Sequence, residues 1–102
     1  MANKQSIFDF SISTSSGEIF EPLFESEHVT IERIVSSGNQ PPAKYVQDHD
    51  EWVLLVRGEA EMTVDGERLS LKAGDTLLLP ARMPHEVLST SSNALWLTVH
   101  TR

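Results

Sequence analysis

The chain has 102 residues, 15 acidic against 8 basic side chains, a formal charge of -7 and no cysteine. That length holds one domain with one modest core, and without thiols there is no disulfide framework, thiolate zinc site or cysteine nucleophile. Missing staples favour a cytoplasmic address, and the acidic balance argues against nucleic acid and anionic membrane, which both demand a basic face.

In chain order, Met1 to Phe10 has one lysine and no long apolar stretch, so it does not read as a signal peptide. Ile7, Phe8, Phe10 and Ile12 carry apolar surface ahead of the main pattern. They suit an edge strand, either pairing with a second copy in a homodimer or closing the chain's own sheet. Ile19, Phe20, Leu23 and Phe24 share a helical face, and Pro22 suits a first turn, so Glu21 to Ser26 is expected to be a short helical turn. Residues 1–28 then form an N-terminal arm on a barrel of residues 29–102.

The remainder reads as short strands between turn residues. A strand from Val29 ends at Ser36-Ser37-Gly38-Asn39, and Gln40-Pro41-Pro42 prolongs the break. Lys44 to Gln47 and Glu51 to Arg57 follow, the second stopped by Gly58. In Glu59 to Val64, Ala60, Met62 and Val64 alternate with polar residues. Asp65-Gly66 supplies the positive φ angles of a two-residue hairpin, answered by Glu67 to Leu71. Thr76 to Leu79, His85 to Ser89 and Ala94 to Thr101 complete the series. The longest apolar run, Trp52 to Val56, is far short of a bilayer span. Strands at this spacing indicate an all-β sandwich or barrel.

Two segments resemble the paired motifs of the cupin family. Gly74, Pro80 and His85 keep the spacing of the second motif, glycine, five residues, proline, four residues, histidine. Arg82 and Ser89 stand where the family often has glycine and asparagine. Glu51 and Gly58 match the end of the first motif, but its histidine pair is replaced by Tyr45 and Gln47. The resemblance implies a cupin-type double-stranded β-helix, a jelly-roll barrel of the RmlC-like kind, with one pocket. It also implies one divalent metal, such as Fe, Mn, Ni or Zn, held at Glu51 and His85 with Gln47 as a weak third donor.

The residues themselves qualify that implication. One histidine and one carboxylate fall short of the two-histidine, one-carboxylate set of non-haem iron. His49 shares strand parity with Glu51 and could complete the set; the alternative is a solvated turn histidine beside Asp48 and Asp50. A carboxylate at Glu51 shares parity with Val53 and Leu55 and needs a partner, for which His85 is the natural choice. That pair could act as acid and base without metal. Trp96 and His100 share one face of the last strand and line either the pocket or an outer surface. Arg82 is expected at the pocket rim, facing an anionic ligand or nearby carboxylates. The expected function is a pocket for a divalent metal, a small polar metabolite or both. If catalytic, it is a metal-dependent oxygenase or isomerase. The alternatives are a metal-free binding or sensing module and a dimeric structural module with a vestigial pocket.

Overall fold

The computed structural model describes residues 2–9 and 15–102. Among the described residues there are nine strands: β1 (Glu18–Glu25), β2 (Val29–Ser36), β3 (Ala43–Tyr45), β4 (Glu51–Arg57), β5 (Glu59–Val64), β6 (Glu67–Lys72), β7 (Thr76–Leu79), β8 (His85–Thr90) and β9 (Ala94–Thr101). They form two antiparallel sheets, ordered β1-β2-β9-β4-β7 and β3-β8-β5-β6. This is the all-β jelly roll. Among the described residues no helix is long and apolar enough to cross a membrane.

The chain changes sheets at sharp corners. At Gly58, with φ +96°, β4 of one sheet gives way to β5 of the other. The Asp65-Gly66 hairpin joins β5 to β6, both residues having positive φ. Asp75 closes the turn before β7 by accepting a hydrogen bond from the Lys72 amide at 2.9 Å.

The segment expected to be a helical turn is strand β1. Eight residues pair with β2, from Glu18 opposite Ser36 to Glu25 opposite Thr30, with a register shift between Pro22 and Phe24. The shift explains the misreading. A bulge inserts one residue and breaks the alternation of a strand, so Ile19, Phe20, Leu23 and Phe24 mimic a helical spacing. Before β1, Ile7 and Phe8 sit in a turn, while Phe10 and Ile12 lie outside the described residues. Residues of this arm are fastened by Arg33, whose Nη1 donates to the carbonyls of Ser6, Ile7 and Asp9 and whose Nη2 meets the Glu21 carboxylate.

The core fills one end of the barrel. Leu55, Ala60, Met62, Leu71, Ala94 and Trp96 are buried together, with Ile34, Val64, Leu69, Leu77 and Val87 packed against them. Along β4 and β9 the same inward face becomes polar toward the other end. On β4, Leu55 gives way to Val53 and Glu51; on β9, Trp96 gives way to Thr98 and His100. That change from apolar to polar places the site.

Candidate functional site

A cavity of about 100 Å³ opens at the polar end of the barrel. Its apolar walls include Ile34, Val53, Met62, Leu79 and Trp96, and its polar groups include Glu18, Glu32, Tyr45, Gln47, Glu51, Thr98, His85 and His100. Three carboxylates face it, and among the described residues no lysine or arginine lines it.

Glu51 is the centre of the arrangement. It is 7% exposed, at the start of β4, opposite Leu79 of β7 and His100 of β9. Each of its oxygens meets a different imidazole. His85 Nε2 is 3.8 Å from Oε1, and His100 Nε2 is 3.6 Å from Oε2. Burial disfavours the charged form and is the main reason the Glu51 carboxyl is pushed up to about 7. The Glu32 charge adds to the rise, while His49 and a hydrogen bond from Gln47 oppose it. The same desolvation holds His100 below its ordinary value and keeps its ring neutral.

His85 opens β8 after the Pro80–Pro84 loop, and its Nδ1 lies 3.2 Å from the Met83 carbonyl. In that contact Nδ1 is the donor, and Nε2 faces Glu51. Tyr45 stacks on the His85 ring with centroids 5.5 Å apart. Burial chiefly, with Glu18 and Glu51, raises the Tyr45 hydroxyl above its ordinary value and keeps it a hydrogen-bond donor. Trp96 donates to Ser36 Oγ at 3.2 Å, and Ser36 donates to Glu18 at 2.6 Å, which ties the cavity wall to β1.

His49 is neither of the two things its position suggested. It does not line the cavity, and it is not a free turn side chain. Its Nε2 lies 2.9 Å from His100 Nδ1, and its Nδ1 lies 3.2 Å from Asp48 Oδ1. Asp48 is held ionised, largely by that hydrogen bond. An ionised Asp48 accepts from Nδ1 of His49, whose Nε2 shares a hydrogen bond with His100 Nδ1. His100 Nε2 shares a hydrogen bond with Thr98 Oγ1 at 3.3 Å and lies 3.6 Å from Glu51 Oε2. Hydrogen bonds thus run from exposed Asp48 through His49 to His100, which stands beside the buried carboxyl.

Arg82, expected at the rim, is exposed and outside the cavity lining. It adopts φ +67°, the left-handed conformation that favours glycine, and its amide donates to the Gln47 carbonyl at 2.6 Å. Its backbone serves the site by joining the Pro80–Pro84 loop to the segment before β4, and its charge adds to the effects that keep Asp48 ionised. Gln47 and Tyr45 do line the cavity, as do Trp96 and His100. Glu18, Glu32 and the pairing of His100 with Glu51 were missed in the sequence. The parity of Glu32 with Ile34 held a signal for the first of these inward carboxylates. The pairing depends on the register of distant strands.

The donor types here, two imidazoles and carboxylates, suit a divalent metal, but their placement does not fit one. His85 and His100 address opposite oxygens of Glu51. Among the described residues no three His, Cys, Asp or Glu side chains are grouped to hold an ion.

Comparison with known proteins agrees with this barrel. Residues 31–100 match the cupin domain model. The chain belongs to the cupin family. It is 34% identical over 71 residues to quercetin 2,3-dioxygenase of Bacillus subtilis, covering 70% of this cupin but only 19% of the dioxygenase. A crystal structure from Ralstonia eutropha, of a candidate mannose-6-phosphate isomerase, superposes with a TM-score of 0.89 at 33% identity, covering 98% of both chains. An RmlC-like cupin from Shewanella frigidimarina superposes at 0.77 with 19% identity, covering 84% of this chain and 77% of that one, and shares the fold.

Proposed function

We propose that this cupin is a metal-free binding module for a small neutral or cationic molecule, read at its polar end by Glu51 between His85 and His100. The observation that carries this reading is a buried carboxyl, pushed up to about 7, flanked by imidazoles in a cavity lined by three glutamates. At neutral pH such a carboxyl both donates and accepts hydrogen bonds. It therefore suits a hydroxyl or an amine, while Val53, Met62, Leu79 and Trp96 cover an apolar body.

Size and charge narrow the class. A cavity of about 100 Å³ is well below the 300–1,000 Å³ or so of typical ligand sites, so the ligand has few heavy atoms. Mannose 6-phosphate, which the R. eutropha name invokes, carries a phosphate that three carboxylates repel. If chemistry takes place, Glu51 is the group that moves a proton, with the His85 and His100 rings beside it.

The test is a thermal-shift screen with small amines, small alcohols and polyols, hexose phosphates and Mn, Ni and Zn ions, on the wild type and Glu51→Gln. A ligand that binds only the native state raises Tm. A rise with amines or alcohols, lost in Glu51→Gln, is the expected result. A rise with hexose phosphates alone, or no rise with any compound, overturns the reading. A rise with the metal ions that Glu51→Gln and His85→Ala both abolish replaces it with a cation centre.

A further inference from the structure

The carboxylates that line the cavity stand at separate levels of the five-stranded sheet, with apolar residues between them. Cross-strand register sets successive rows along its inward face. Glu18 lies opposite Ser36, then Phe20 opposite Ile34 and Ile34 opposite Trp96. The next row pairs Glu32 with Thr98 and Thr98 with Val53, and the last pairs His100 with Glu51. Two residues of a strand advance about 6.8 Å. The backbone at Glu18 is therefore about 14 Å along the strands from the level of Glu32, a span that two inward-reaching glutamates shorten. Phe20, Ile34 and Trp96 line the cavity between the two ends. Tyr45 lines it from the other sheet and feels both ends, since the charges of Glu18 and Glu51 each add to the effect of burial on its hydroxyl. Phe20 lines the cavity and is still 51% exposed, which puts a phenyl ring at the mouth. Ser36 Oγ donates to Glu18 at 2.6 Å and holds that carboxylate against the wall.

We infer that the cavity takes a short linear diamine, with one ammonium at Glu51 and Glu32, the other at Glu18, and the methylene chain against Phe20, Tyr45 and Trp96. The inference rests on the reading that the cavity binds its ligand through Glu51. Acid at both ends of an apolar wall is the complement of two cations joined by methylenes. Each ammonium offers three donors to carboxylate acceptors and is also attracted to aromatic faces. A dication relieves the repulsion among carboxylates that no lysine or arginine among the described lining residues offsets. Other small ligands answer less of the wall. A monoamine leaves Glu18 without a counter-charge, a diol brings no charge to either end, and an amino acid sets its own carboxylate against a glutamate. A diamine of about four carbons has few heavy atoms, as a cavity of about 100 Å³ requires.

Isothermal titration calorimetry at about pH 8, where an alkylammonium still holds its proton, tests this with linear diamines of two to six carbons, butylamine and butanediol. The best diamine is expected to bind at least about tenfold more tightly than butylamine, and affinity is expected to pass through a maximum within the series. Glu18→Gln keeps an acceptor for Ser36 and removes the charge. It is expected to bring the ratio of diamine to butylamine affinity close to one, while Glu51→Gln weakens both. Circular dichroism melts confirm that each variant is folded, and if Glu18→Gln is not, the length series on the wild type carries the test. Equal affinity for diamine and butylamine, a preference that survives in folded Glu18→Gln, or an affinity that climbs with every added carbon overturns the inference. Butylamine or butanediol bound in a Glu51-dependent way would then leave the reading beneath it standing. Binding of none of these compounds overturns both.

Discussion

Glu51 retains its proton more tightly in the folded chain than in the unfolded one, about 7 against an ordinary 4.5. Between those values the native state binds more protons than the unfolded state, so stability falls as pH rises through that window. Below about 4.5 the carboxyl is neutral in both states and its penalty is absent. Above about 7 the penalty is complete, at most about 3 kcal/mol. Glu51→Gln keeps the shape and removes the charge. Its Tm is expected to exceed that of the wild type at pH 8 and to approach it at pH 4.5, by calorimetry at both pH values. His100 works in the opposite sense. Its lowered value contributes stability that is complete above the ordinary histidine range and is lost as pH falls through it to the folded value. The wild type is therefore expected to lose stability toward acid as well as toward base.

At the scale of elements, the corners carry the strictest demands. A Cβ on Gly58 would lie 2.6 Å from Ser91 Oγ and 3.1 Å from Ala94, and the residue has φ +96°. Both strain and overlap oppose a side chain there, so Gly58→Ala is expected to cost about 2–4 kcal/mol in urea denaturation. Gly74 has φ +97° but open space around its added Cβ, so Gly74→Ala is expected to cost only the backbone term, about 1 kcal/mol. Strands β4 to β9 were legible in the sequence because alternation and turn pairs such as Asp65-Gly66 are local signals. Strand β1 was not, because its bulge at Pro22 and Phe24 removes the alternation by which a strand is recognised. For the site, Glu51 and His85 stood in motif spacing, and the change from Leu55 to Glu51 along one face could be read directly. The His49–His100 contact was hidden, since it spans 51 residues and depends on β9 lying beside β4.

Across the whole molecule, each sheet ends, among the described residues, in a strand with a strand neighbour on one side only, and a long apolar edge strand is a template for further pairing. Strand β1 is such an edge, eight residues long, with Phe20 and Phe24 more than half exposed. Its free side is interrupted by Pro22, which has no amide hydrogen, and by the register shift beside it. Pro22→Val restores the donor and favours a flatter strand. The variant is expected to keep its Tm within about 2–4 °C, as surface changes of below about 0.5 kcal/mol do, and to form thioflavin-positive aggregates on agitation sooner than the wild type. Unchanged lag times would show that the proline has no such part. The irregularity that disguised β1 in the sequence is thus what keeps this edge of the five-stranded sheet finite: it caps an end that would otherwise recruit strand after strand into a fibre.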